Sequence, residues 1–138
     1  MKPMPNRKFI RTAALVAGLP AVLLGGAALA QGSLAMLDSL DKGGWELRYR
    51  DGSTSRNLCV RSGREFIQLR HSETGCNRFV VEDGKDEVTV QYTCRGNGYG
   101  RTSIRKEGNG LVQIDSQGIV DGRPFQFSAE ARHTGRCR

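Results

Sequence analysis

The sequence predicts an all-β protein: an antiparallel meander of about six or seven strands, forming a small barrel or a two-layer sandwich, with one short helix. Three observations carry this. Five Asx-Gly dipeptides punctuate the chain, at Asp51-Gly52, Asp83-Gly84, Asn97-Gly98, Asn109-Gly110 and Asp121-Gly122, and both residue types tolerate the positive φ of tight hairpin turns. The last four fall 14, 12 and 12 residues apart, near the roughly 8–12-residue rhythm of hairpin-linked strands. Between them, apolar and polar residues alternate with period two, as in a strand with one buried and one wet face. Finally, four cysteines in an exported chain suit a small, stapled β domain.

Residues 1–30 read as a secretory signal peptide. Lys2, Arg7, Lys8 and Arg11 form a basic head, an uncharged Ala/Leu/Val/Gly run extends from Ala13 to Leu29, and Ala28-Leu29-Ala30 gives the small-x-small pattern of a cleavage site. The run is short and low in hydrophobicity for a membrane anchor. Cleavage after Ala30 leaves 108 residues, one domain's worth, expected in the periplasm with no membrane span. Four of the 21 Lys+Arg sit in the signal and none of the 14 Asp+Glu, so the mature chain carries 17 against 14, a net +3. That is ordinary for a soluble domain and removes the main support for nucleic-acid binding.

Residues 31–42 read as an N-terminal arm, loose or forming a short helix on Leu34, Leu37 and Leu40, ahead of a single disulfide-linked β domain at 43–138. Trp45, Leu47 and Tyr49 alternate with Glu46, Arg48 and Arg50 as a half-buried first strand, with Trp45 as a core anchor. Ser62-Gly63-Arg64-Glu65 has the spacing of a capping box, which predicts one short helix over Phe66, Ile67, Leu69 and Arg70, ending before Gly75. Phe79-Val80-Val81 is a short apolar run, and Val88, Val90 and Tyr92 alternate with Thr89, Gln91 and Thr93. Thr102 to Glu107 holds only Ile104 as a large apolar residue, so it reads as an exposed or edge strand. Leu111 to Ile114 is apolar again, and Phe125, Phe127, Ala129 and Ala131 alternate with polar residues behind Pro124, which opens its strand.

Cys59, Cys76, Cys94 and Cys137 are separated by 17, 18 and 43 residues. Metal sites favour tight C-x₂₋₄-C pairs, so these read as two disulfides. Of the three pairings, Cys76–Cys94 with Cys59–Cys137 is favoured, because the hairpin turning at Asp83-Gly84 brings Cys76 toward Cys94; Cys59–Cys76 would instead clamp the expected helix. No cofactor or metal motif is present, and no catalytic constellation. His71 and His133 are dispersed and read as polar surface. Gly96-Asn97-Gly98-Tyr99-Gly100 lacks the following helix that a phosphate loop needs, so it reads as a wide glycine-rich hairpin connection with Tyr99 at its tip as a contact residue. Mature Arg outnumber Lys 14 to 3. Arg48, Arg50 and Arg56 flank the first hairpin, expected on its wet face, and Arg101 and Arg105 lie on a second strand; such a cluster can hold an anionic sugar, a lipid headgroup or a partner's carboxylate.

Gly43 to Glu46 as G-x-W-E, Cys59 before a helical segment, Cys76 opening a strand, Cys94-Arg95-Gly96 and the closing Gly135-Arg136-Cys137 give a pattern spanning about residues 43–137. On it the chain resembles a domain-of-unknown-function family of secreted proteobacterial proteins. The resemblance implies an all-β fold and a periplasmic location, and it supplies no activity or catalytic residue. Tyr92-Thr93-Cys94 and Ser62-Gly63 give a weaker resemblance to the periplasmic inhibitors of C-type lysozyme, which are small disulfide-linked β-barrels; here the Ser-Gly precedes the tyrosine and lacks the Tyr that should follow it. A chain at +3 would meet like charge on a basic lysozyme. The functional expectation is therefore a non-enzymatic periplasmic module that binds an envelope component, a partner protein or a small ligand, with inhibition of a cell-wall hydrolase as the alternative.

Overall fold

The computed structural model of the chain describes residues 32–138, and the export signal expected at 1–30 lies outside the described residues. A short helix α1 (Ala35–Asp38) precedes seven strands: β1 (Gly43–Tyr49), β2 (Arg56–Val60), β3 (Asn77–Asp83), β4 (Glu87–Cys94), β5 (Gly98–Gly108), β6 (Leu111–Val120) and β7 (Arg123–Gly135). They form one antiparallel sheet in the order β2-β1-β7-β6-β5-β4-β3. The all-β expectation holds. The sheet is not closed into a barrel, because β2 and β3 stand at opposite edges. It is also not a simple meander: after the β1–β2 hairpin the chain crosses to the far edge, runs β3 to β7 by hairpins, and pairs β7 back onto β1.

The Asx-Gly positions explain the hairpins. At Asp121-Gly122 both residues have positive φ, 50° and 71°, the geometry of a two-residue turn whose twist matches the strands it joins. Gln117 and Gln126, Gly118 and Phe125 then pair at equal distances from it. Between β5 and β6 a bulge between Lys106 and Gly108 shifts the register by one residue, and a second bulge interrupts β3 between Val80 and Glu82.

Directly paired residues share a face, so alternation and register together define two faces. Trp45, Leu47, Val88, Val90, Tyr92, Ile104, Val112, Ile114, Ala129 and Ala131 are buried on the inner one. This face is covered by two segments of the chain itself. The arm contributes Leu34, Met36, Leu37 and Leu40, and the β2–β3 connection contributes Phe66 and Ile67, all buried. The arm expected at 31–42 thus forms α1 and packs into the core. It is held at both ends: Leu34 N–H donates to the Asp83 carboxylate at 3.2 Å, and the Trp45 indole N–H donates to the Asp41 carbonyl at 2.9 Å. Leu34 itself sits at φ 56°, a conformation costing an L-residue about 1–2 kcal/mol, which these contacts offset.

Two expectations need correction. The capping-box residues do interact, with Glu65 accepting from Ser62 N–H and from the Ser62 hydroxyl at 3.2 and 3.3 Å. Only a 3-10 turn, Arg64–Phe66, follows in place of the helix expected through Arg70. Gly63 at φ 77° lies against the Leu37 carbonyl, so the connection turns to follow the arm. The Thr102–Glu107 segment is not an edge: β5 lies between β4 and β6, with Ile104 and Thr102 buried. Two of its inner residues are small where neighbours come close, Thr102 beneath the covering connection and Gly100 beside Tyr92 of β4. Thr102 donates to the Ile67 carbonyl at 2.6 Å, and a Cβ on Gly100 would drive into the Tyr92 ring.

The disulfides are Cys59–Cys137 and Cys76–Cys94, the pairing the Asp83-Gly84 hairpin favoured. Asn77 opposes Thr93, and continuing that register by one residue sets Cys76 opposite Cys94. The first bridge ties edge strand β2 to the residues beyond β7, and the second ties the start of β3 to the end of β4. Such bonds persist in an oxidising, extracytoplasmic compartment. Among the described residues no helix is long and apolar enough to cross a membrane.

Leu37→Ala is expected to lower unfolding stability by about 2–5 kcal/mol in urea titrations, as for a fully buried leucine. The bridges close loops of 78 and 18 residues, worth roughly 4.5 and about 3 kcal/mol by chain entropy. Replacing Cys59 and Cys137 by alanine should therefore lower the urea midpoint more than replacing Cys76 and Cys94.

Candidate functional site

The outer face falls into two halves of different character. In the half nearest the β1 end, the arginines are all engaged by neighbouring side chains. Arg48 pairs with Glu46 at 2.9 Å, Arg105 with Glu107 at 2.9 Å and Arg132 with Glu130 at 3.0 Å. The nearly buried Gln113 accepts from Arg50 at 2.8 Å and donates to Glu107 and Glu130 at 3.2 and 3.1 Å. The hydrogen bonds from Arg132 and Gln113 hold the Glu130 carboxyl below its usual range. The next row is also self-satisfied: Thr89 shares a 2.8 Å hydrogen bond with Ser103, and the Ser128 hydroxyl donates to Asp115.

The other half is open. Register aligns Phe79, Gln91, Arg101, Gln117 and Gln126 in one row across β3, β4, β5, β6 and β7. The neighbouring row contains Thr93, Tyr99, Ile119 and Pro124. Among the described residues, the side chains of Gln91, Arg101, Gln117 and Gln126 hydrogen-bond no other residue, and Arg101 has no ion-pair partner. Phe79 is 69% exposed and Tyr99 50%, well beyond an ordinary strand position. Arg101, Gln117 and Gln126 separate two open depressions of about 560 and 190 Å³; Tyr99 and Pro124 border the larger, Asp115 and Ser128 the smaller. Planar amides, a free guanidinium and two aromatic rings on a rigid sheet can hydrogen-bond and stack on a ligand without rearranging.

Of the residues the sequence singled out, Tyr99 and Arg101 lie in this open half. Arg48 and Arg50 share the face but are engaged in the charge-matched half. Arg56 is on the other side: it pairs with Leu47, on the inner face, and donates to the Leu69 carbonyl at 3.1 Å. The first-hairpin arginines therefore do not form one cluster. In the sequence Phe79 and Gln91 read only as strand residues, and neither they nor Gln117 and Gln126 stand out as contact residues. The available signal was the equal spacing of Gln117 and Gln126 about Asp121-Gly122. The Gly96–Gly100 stretch is tighter than a wide connection, with only Arg95, Gly96 and Asn97 between β4 and β5. Of the motifs that echo the lysozyme inhibitors, Tyr92 points inward at 1% exposure and Ser62 is bonded to Glu65.

His71 is not polar surface, as the sequence suggested, but buried at 2% exposure. Its Nε2 lies 3.1 Å from the Asn97 carbonyl, which can only accept, so Nε2 carries the proton and Nδ1 accepts from the Tyr92 hydroxyl at 3.0 Å. Phe125 lies edge-on to the imidazole at 6.0 Å, with the Arg70 guanidinium over the Phe125 ring. Asn97 in turn donates to the Glu73 carboxylate, whose other oxygen is buried without a partner. Both ring nitrogens of His71 are thus occupied, and the cluster pins the β4–β5 turn to the covering connection. The partly exposed His133 lies edge-on to Trp45 with its Nε2 3.1 Å from the Lys42 carbonyl. Among the described residues no group of three or more His, Cys, Asp or Glu is arranged to hold a metal ion.

Burial, aided by the Glu73 charge, pushes the Tyr92 phenol from 10.0 up to about 12. The folded state keeps this proton where the unfolded chain has lost it, so stability should fall as pH rises from about 10 to about 12. An ultraviolet titration should show one phenol ionising near about 12, absent in Tyr92→Phe. That variant should also lose about 1–3 kcal/mol because it leaves His71 Nδ1 unpaired. In comparisons with known proteins, no family model, no curated protein and no solved structure matches this chain.

Proposed function

We propose that the protein is an exported, non-enzymatic binding module of the periplasm, related to the secreted domain-of-unknown-function family it resembles, and that it engages an envelope component through the open half of its outer face. One observation carries this reading: four adjacent side chains without a hydrogen-bond partner among the described residues, Gln91, Arg101, Gln117 and Gln126, lie in one row beside two exposed aromatics, on a face whose other half engages its arginines with neighbouring side chains. Solvated charge on a sheet is ordinary; exposed aromatic rings beside uncommitted amides are a surface suited to contact.

Two further features support it. The inner face is filled by the arm and the connection, which favours recognition on the surface over a ligand held inside the sheet. Both imidazole nitrogens of His71 face internal partners, so that buried ring is not placed as a free general base.

Co-sedimentation of the oxidised mature protein with isolated envelope fragments tests this. Retention is expected for the wild type and for Arg61→Glu, a change away from the outer-face rows. Retention should fall at least about tenfold for a Tyr99→Ala/Arg101→Glu variant, the scale of losing a charged hydrogen bond. Equal retention of all three proteins, or none of any, would refute the reading.

A further inference from the structure

We infer that the ligand of the open face is a carboxylate-bearing glycan chain, lying across the strands along the row from Phe79 to Gln126. This rests on the proposed function and gives it a chemical class. The row crosses five strands, so its ends are about 19 Å apart at the usual strand spacing of about 4.8 Å, enough for several sugar rings in extended form. Its chemistry fits sugars at each position. Phe79 and Tyr99, on β3 and β5 with β4 between them, offer flat apolar faces for the C–H side of two rings about two strand spacings apart. Gln91, Gln117 and Gln126 each present a donor and an acceptor in one plane, matching neighbouring hydroxyls or an N-acetyl group.

Arg101 specifies the charge. It is exposed, lies at the centre of the row with an amide on each side, and has no ion-pair partner among the described residues. Other arginines on this sheet face, Arg48, Arg105 and Arg132, are paired with glutamates two residues away. A single free guanidinium selects a single carboxylate by a bidentate hydrogen bond. Charge complementarity also separates this occupant from others. An anionic membrane is read by clusters of about four to eight Lys or Arg, and among the described residues of these two rows Arg101 is the one cation. A stable protein interface has a contiguous apolar core, whereas Phe79 and Tyr99 are separated by Gln91 and Thr93 of β4.

Calorimetric titration of the oxidised mature protein with two soluble glycans tests the inference. One is a strand of alternating N-acetylglucosamine and N-acetylmuramic acid, with a lactyl carboxylate on every second ring; the other is a chitin oligomer of equal length, which lacks the carboxylate. The first should bind at least about tenfold more tightly. Arg101→Gln should remove the difference while leaving the melting temperature unchanged, and Tyr99→Ala and Phe79→Ala should weaken both glycans. Equal affinity for the two glycans, preserved discrimination in Arg101→Gln, no glycan binding, or binding only to phosphatidylglycerol vesicles would each overturn it. If envelope fragments are still retained through Tyr99 and Arg101 while neither glycan binds, the proposed function stands and only the glycan assignment fails.

Discussion

A seven-stranded sheet whose edge strands never meet has an apolar inner face that must be covered, and this requirement organises the molecule. The covering comes from the chain's own arm and the β2–β3 connection. Leu37, Leu40, Phe66 and Ile67 join Trp45 and Tyr92 in one buried apolar cluster. Polar contacts fix where they lie: Asp83 to Leu34, Asp41 to Trp45, Ile67 to Thr102, and His71 between Tyr92 and Asn97. Buried groups of this kind stabilise only when each finds its partner, so they determine one arrangement of the two segments. The disulfides act at the same places, restraining β2 and the start of β3, the strands with only one neighbour.

Because the inner face is occupied, recognition is left to the outer one, and the two halves of that face differ in physical consequence. Where Arg48, Arg105 and Arg132 are matched to carboxylates, a ligand would have to displace existing interactions. Those interactions gain little for a solvated pair, but they leave none of the three arginines unpaired. Where Gln91, Arg101, Gln117 and Gln126 stand uncommitted, only water is displaced. The sheet beneath is rigid, with tight inner positions at Gly100 and Thr102, so little conformational entropy is lost on binding.

Much of this fold is legible in the sequence, and what is not has identifiable causes. The Asx-Gly turns and period-two alternation place the strands, and the hairpin between Cys76 and Cys94 points to their bridge. Alternation alone could not show that β5 is central, since its inner side carries Gly100 to admit Tyr92 and Thr102 to admit Ile67, and the Thr102–Ile67 contact, 35 residues apart, leaves no local pattern. The burial of His71 is hidden for the same reason: Tyr92 and Asn97 are 21 and 26 residues away. The site is only half visible. Gln117 and Gln126 can be aligned from Asp121-Gly122, but aligning Arg101 with Gln117 requires the bulge after Lys106, which shifts the register by one and has no sequence signature of its own beyond Gly108. Arg56 was misplaced because the turn joining β1 to β2 spans Arg50 to Ser55, longer than the Asp51-Gly52 dipeptide suggests.

The most direct measurement is a nuclear magnetic resonance titration of the nitrogen-labelled mature protein with solubilised envelope fragments, following the side-chain amide signals of its glutamines. The account predicts that Gln91, Gln117 and Gln126 shift together, with Tyr99, while Gln113 in the charge-matched half and Gln68 in the covering connection stay in place. Shifts confined to Gln68 or Gln113, or no shift at any glutamine, would contradict it.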